Sequence, residues 1–140
     1  MSIAIVANGT LFKIGASASP GTYTTIPEVS KLAGPGNKFD ILDVTSHDSP
    51  GGFREFIPGL SDGDNVTATI HWKPSNAVHK DIRVASYARS VRAFQTIFPD
   101  ATDNTVTYPG FTTNIMPTAD IGVVLEAAIT VKVTGLPVWA

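Results

Sequence analysis

Residues 32–74 read LAGPGNKFDILDVTSHDSPGGFREFIPGLSDGDNVTATIHWKP. The tract divides into a strand, a long polar loop, a short strand, a tight turn and a long alternating strand. In its last part Asn65, Thr67, Thr69 and His71 alternate with Val66, Ala68, Ile70 and Trp72. Successive side chains of a strand point to opposite faces, so this period predicts one wet face and one buried face, as in an antiparallel sheet. The loop ahead of it places Phe53, Phe56, Ile57 and Leu60 among glycines and prolines. Apolar side chains on a projecting loop need a surface to cover them, and a second copy of the chain is the expected partner.

Outward from this tract, Asn8-Gly9 lies between residues 3–7 and 10–15 and predicts a hairpin, since Asn-Gly supplies the positive φ values of a two-residue type I′ turn. Pro27 interrupts a short β run over 22–29, and glycines and prolines predict a turn before Lys38. Residues 39–45 are expected as a strand, 47–52 as the long loop, 53–57 as a short strand and 59–64 as a second turn. After Pro74, Ser75 or Asn76 can cap the one predicted helix, with Val78, Ile82 and Ala85 at helical spacing and Val84, Ala88 and Val91 beside them. β structure is expected again over 91–98, then a turn at 99–104, then strands at 105–108, 110–116 and 121–134. In the last of these Ala127, Ile129, Val131 and Val133 alternate with Ala128, Thr130, Lys132 and Thr134. The chain reads as one domain over 1–140, mainly β, an antiparallel sandwich or barrel of about seven to nine strands with one packed α-helix.

Composition narrows the function. The 140 residues include no cysteine, so neither a disulfide framework nor a thiolate metal site is expected. The apolar runs fall far short of the roughly 20 residues that cross a bilayer, and the start MSIAIVANG lacks a basic n-region, so neither membrane insertion nor a signal peptide is expected. Ser46-His47-Asp48 has the residue types of a catalytic triad, but three consecutive residues cannot converge on one another. His47, His71 and His79 have no metal-ligand spacing, and the last two are expected at the surface. Gly34-Pro35-Gly36-Asn37-Lys38 lacks the spacing of a phosphate loop, and Asp62 and Asp64 have no calcium loop after them. No catalytic residue, metal or cofactor is expected.

Net charge is −2 but unevenly laid out. Asp40, Asp43, Asp48, Glu55, Asp62 and Asp64 outnumber Lys38 and Arg54, whereas Lys73, Lys80, Arg83, Arg89 and Arg92 face Asp81 alone in the next stretch. Such asymmetry can steer the acidic stretch of one copy onto the basic stretch of another. Five basic residues in a chain of pI 5.8, with few aromatics among them, are a weak signature of nucleic-acid binding.

Ile41, Asp43, Val44, Thr45, Asp48 and Ser49, followed by Arg54, Glu55, Phe56, Gly59, Leu60, Asp62 and Gly63, form an I-x-D-V-T-x-x-D-S and R-E-F-x-x-G-L-x-D-G run. This run resembles the tail tube (major tail) proteins of long, flexible-tailed, lambda-like bacteriophages, and AAITVKVTGLP at 127–137 resembles that family's closing strand. The resemblance implies a structural subunit without enzymatic activity. Copies would form hexameric rings, each copy giving strands to an inner barrel, and the rings would stack into a tube that conducts DNA. It implies a tape-measure protein, a tail terminator and distal tail or baseplate proteins as partners, DNA passing without specific binding, and a place in the virion tail after assembly in the host bacterial cytoplasm. His47, Asp48, Ser49, Pro50, Gly51, Gly52, Phe53 and Arg54 would form an inter-ring loop, with Phe53, Phe56 and Leu60 at its base. Asn65, Thr67 and Thr69, with Asp40 or Asp43, are candidates for the lumen lining, and the helix with Lys80, Arg83 and Arg89 for a subunit contact. Two alternatives remain at this point. One is the tube protein of a contractile injection or secretion system, which would need an outer sheath. The other is a carbohydrate-binding sandwich, which would need Trp72, Tyr87, Tyr108 and Trp139 exposed and coplanar.

Overall fold

The computed structural model describes residues 2–102 and 104–140. Met1 and Asp103, the latter within the turn expected at 99–104, lie outside the described residues. The elements in chain order are β1 (Leu11–Gly15), β2 (Tyr23–Thr25), β3 (Val29–Ala33), β4 (Lys38–Asp43), β5 (Phe56–Asp62), β6 (Asn65–His71), α1 (Ala77–Ala88), β7 (Arg92–Ile97), β8 (Thr105–Thr118), β9 (Glu126–Val133) and β10 (Val138–Trp139). A short 3₁₀ turn covers Pro50–Gly52. The strand order β2-β1-β7-β8-β9-β6-β3 forms one antiparallel sheet, with β10 added to β8, and β4 and β5 form a separate two-stranded hairpin.

Gly110 divides β8. Before it, Thr105 to Pro109 pair with β7; from it onward the strand pairs with β9. A side chain at position 110 would put its Cβ 2.8 Å from the Lys132 carbonyl oxygen and 2.9 Å from Val131 Cγ1, so only glycine fits this crossing. The two halves of the sheet enclose one core. Phe12, Ile14, Phe94, Val106 and Tyr108 come from one half, and Val66, Ala68, Ile70, Ala127, Ile129, Val131 and Val133 from the other. The period-2 patterns of β6 and β9 therefore carry the apolar set inward, as the sequence predicts. Within the core the Tyr108 hydroxyl meets Thr96 Oγ1 at 3.0 Å, and burial pushes the Tyr108 phenol well above its ordinary range.

The helix begins as expected at Asn76, whose side chain accepts from the backbone N–H groups of Val78 and His79. It ends at Arg89, which takes a left-handed conformation at φ 56°. Its buried residues are His79, Ile82 and Ala85, while Val84 and Val91 are exposed. His79 corrects the expectation of a surface histidine, for it is 0% exposed. Its ring stacks on Trp72 at a centroid distance of 5.4 Å, its Nδ1 accepts from the Lys73 N–H at 3.1 Å, and its Nε2 lies 3.0 Å from the Pro27 carbonyl. With Lys73 fixing Nδ1 as acceptor, Nε2 carries the proton and donates to Pro27.

Four further expectations change. Residues 3–7 form no strand: Asn8-Gly9 makes the turn, with Gly9 at φ 93°, but β1 pairs with β2 and β7 instead of folding back on that segment. The stretch 59–62 continues β5, because β4 supplies it with pairing partners, and the turn is confined to Gly63 and Asp64. The strands expected at 105–108 and 110–116 are one, β8. The final strand starts at Glu126 rather than at 121, and Ile121, Val123 and Val124 stand exposed in the connection ahead of it.

Candidate assembly surfaces

Among the described residues, three surfaces carry the residues singled out from the sequence. The first is the outer face of the sheet half β3, β6, β9 and the later part of β8. The side chains opposite the core face outward here, and register joins Thr67 to Thr130, Thr69 to Ala128 and Thr130 to Asn114. Asn65, Thr67 and Thr69, the sequence candidates for a lumen, lie together on this face; Asp40 and Asp43 are apart from them, on the β4–β5 hairpin. Of the two lysines on the face, Lys132 has an acidic partner and Lys31, in register with Thr69, has none among the described residues. Lys132 Nζ reaches both oxygens of Asp62, at 2.7 and 3.0 Å, which holds the Asp62 carboxyl below its ordinary range together with the Asp64 N–H it accepts. His71 Nδ1 stands 4.0 Å from a Glu126 oxygen.

This half-sheet is also open at its edges. The sheet ends at β3, and β8 from Thr112 to Thr118 pairs only with β9 among the described residues. Unpaired edges present rows of N–H and C=O groups ready to bond another chain.

The second surface is the β4–β5 hairpin with its loop. Every residue of β4 is exposed, and Phe39, Ile41, Leu42, Phe56 and Ile57 are among the exposed apolar residues of the pair. Phe53 is 77% and Leu60 86% exposed. The loop at the tip is nevertheless folded on itself. Val44 N–H donates to the Glu55 carbonyl at 2.9 Å, and Glu55 N–H to Thr45 Oγ1 at 2.8 Å. Ser49 Oγ donates to Glu55 Oε2 at 2.8 Å and accepts from Ser46 N–H at 3.0 Å. The Thr45 hydroxyl and N–H hold the Asp43 carboxyl below its ordinary range. Ser46, His47 and Asp48 form no triad; the Ser46 hydroxyl accepts from the Asp48 backbone. Pro50, Gly51 and Gly52 form the 3₁₀ turn that delivers Phe53 outward, and Arg54 is exposed beside it.

The third surface is helical. Lys80 and Arg89 are exposed and Arg83 half-buried, while Asp81 turns to β7 and accepts from Arg92 at 2.8 Å. Two apolar surfaces escaped the sequence reading: Ile3, Ile5 and Val6 in the N-terminal segment, and Ile121, Val123 and Val124 before β9. Both were apolar runs that looked like strands. The aromatic platform of a sugar-binding module is not formed. Trp72 and Tyr108 are buried, and Trp139 stacks on Phe98. Among the described residues no group of three or more His, Asp or Glu is arranged to hold a metal ion, and no helix is long and apolar enough to cross a membrane.

Residues 6–140 match the lambda phage tail tube protein (TTP) family. No curated protein matches the chain by sequence. Among solved structures the fold is similar to the tail of an empty gene transfer agent (GTA) particle refined with C6 symmetry, at TM-score 0.83 and 22% identity over 98% of this chain and 99% of that one. It is also similar to the SPP1 tail tube, at TM-score 0.73 and 15% identity over 97% of this chain and 78% of that one. A third likeness is to the sheath–tube complex of an extracellular contractile injection system, PVC, at TM-score 0.67 and 14% identity over 99% and 93% of the two chains.

Proposed function

We propose that this chain, which belongs to the lambda phage tail tube protein family, joins five further copies in a ring, and that such rings stack into the tail tube. The copy number follows the C6 symmetry of the similar gene transfer agent tail. The observation that carries the proposal is the half-sheet with two open edges and a polar outer face. β3 of one copy and the later part of β8 of the next can pair edge to edge, closing a barrel around an axis and removing the edges that would otherwise aggregate. Asn65, Thr67 and Thr69 then line the lumen, and Asp40 and Asp43 go with the hairpin rather than with that lining.

Rings that stack head to tail make a heterologous contact, which does not close and so grows as a filament. The loop from His47 to Arg54, with Phe53, Phe56 and Leu60 exposed around it, serves as the inter-ring contact, and the α1 face with Lys80, Arg83 and Arg89 as a contact between neighbours. The preorganised loop supports this role, since a loop that is already folded loses little entropy on docking. The protein acts without catalysis or cofactor. Its partners are its own copies, a tape-measure protein, a terminator, distal tail or baseplate proteins, and DNA in transit; its place is the virion tail, assembled in the host bacterial cytoplasm. A contractile-system tube shares the fold, but the family match favours the sheathless tail.

Negative-stain electron microscopy of the concentrated protein, at low and moderate salt, tests the proposal. Long tubes with a regular ring repeat are the expected result. Particles that stay small both alone and when mixed with short fragments of assembled tail as seeds would overturn it.

A further inference from the structure

The half-sheet has two ends, and they are chemically unlike. At one end β3 leaves at Ala33, β6 enters at Asn65 and the β4–β5 hairpin grows from between them. At the other end β6 finishes at His71, opposite the first residue of β9, Glu126, which in turn faces the last residue of β8, Thr118. The segment 119–125 closes that far end. It exposes Ile121 completely, Val123 to 64% and Val124 to 59%. Trp72 N–H donates to the Leu125 carbonyl at 2.8 Å, which brings Lys73 alongside this segment. Lys73 is exposed and has no carboxylate partner among the described residues.

We propose that the 119–125 segment, with Lys73 beside it, is the acceptor for the hairpin of a second copy in the adjoining ring. The inference rests on the tube reading above and adds the surface that receives the loop. Polarity and chemistry both match. Hairpin and segment lie at opposite ends of the same strands, as a contact repeated along a stack requires. The hairpin offers Phe53 and Phe56 flanked by the acids Asp48 and Glu55; the far end offers Ile121, Val123 and Val124, with the cation Lys73 beside them and the acids Asp120 and Glu126 at the two ends of the apolar run. Arg54 of the hairpin has a counterpart of opposite sign in Asp120. Both apolar clusters are exposed in the isolated subunit, and each would remove the other from water on docking.

The chain has no cysteine, so paired cysteines report a single contact. Phe53→Cys with Val123→Cys, assembled reduced and then oxidised, is expected to give a ladder of disulfide-linked chains running along the tube. Neither single variant should give one. Tubes of the double variant that oxidise without a ladder would overturn the acceptor assignment. Should the double variant not assemble, carbodiimide treatment of wild-type tubes decides: links from Lys73 to Asp48 or Glu55 between chains uphold the assignment, and their absence overturns it. The hairpin reading fails separately, by tube formation in Phe53→Asp. Arrested assembly in Phe53→Asp together with no Phe53–Val123 or Lys73 links would reject the acceptor and leave the hairpin reading intact.

Discussion

Replacing Phe53 by Asp separates folding from assembly most sharply. Phe53 is 77% exposed in the subunit, so its side chain contributes little to the folded state, and a surface substitution of this kind changes stability by about 0.5 kcal/mol or less. Covering a whole Phe side chain yields roughly 1.5–3 kcal/mol. The exposed 77% therefore accounts for about 1–2.5 kcal/mol at each docked loop, before the cost of desolvating the new carboxylate. If copies add to a tube one at a time, that loss raises the critical concentration about 5- to 70-fold. If preformed rings add, the loss is repeated at every copy in the ring and the tube fails to form at any accessible concentration. Urea melts of dilute subunit, followed by pelleting of concentrated protein, measure the two effects in one preparation. An unchanged urea midpoint with a steeply raised critical concentration is expected. A variant that pellets as tubes at the wild-type concentration refutes the assignment of this loop to the ring contact.

Three other outcomes follow from particular contacts. His79→Ala leaves the Lys73 N–H and the Pro27 carbonyl without their partner and opens a void against Trp72; a loss of about 3 kcal/mol or more is expected in urea, and a loss under about 1 kcal/mol would show that the site collapses or hydrates. Asp62 has a folded-state pKa below its ordinary 3.8, so its pairing with Lys132 stabilises the fold above that value and is lost as pH falls through the lower folded value; Asp62→Asn should flatten the acid limb of the urea midpoint between about pH 5 and pH 2, and an unaltered limb would refute this. Assembly should weaken with added salt, because exposed charges such as Asp48 and Lys73 are screened beyond about 10 Å at 0.1 M, and a salt-independent critical concentration would leave only the apolar part of the contact.

Much of the β framework was legible because its signal is local. In β6 and β9 each second residue is apolar, and register joins Val66 to Val131 and Ala68 to Ile129, so one alternation supports the other. Asn76 was legible as a cap for the same reason, since the hydrogen bonds it accepts come from the next turn of its own helix. The rest depended on partners distant in sequence. Asn8-Gly9 codes for a turn, but a turn becomes a hairpin only if the flanking segments pair, and β1 is already held on both sides by β2 and β7. Glycine and aspartate made 59–64 look like a turn, yet Ser61 pairs with Phe39 and Asp62 with Lys38. Apolar character drew 121–125 into a strand, whereas Ile121, Val123 and Val124 face outward. The family run in 41–63 marked the hairpin that carries the proposed contact, but nothing in that run indicates which surface receives it.

Asp62 also bears on the passage of DNA. A tube that let phosphates meet a ring of free cations would hold the strand, since each neutralised phosphate releases counterions and adds to affinity. Lys132 faces the same side as Thr130 and Asn65, toward the proposed lumen, and in the subunit its ammonium is held by both oxygens of Asp62. Asp62→Asn takes away that negative charge while keeping the side-chain size, so the ammonium of every copy in a ring becomes available to phosphate. Wild-type tubes already present Lys31, which is exposed opposite Thr69 on the same face, so tubes of this variant are expected to retain short duplex DNA at low salt more strongly than wild-type tubes, and the retention should fall steeply with added salt. Lys132→Gln placed in the Asp62→Asn background should return the retention to the wild-type level or below, which separates a freed lysine from a general loss of acidity. Equal DNA passage through wild-type and Asp62→Asn tubes would mean either that Lys132 does not face the lumen or that its pairing is not what keeps phosphates moving.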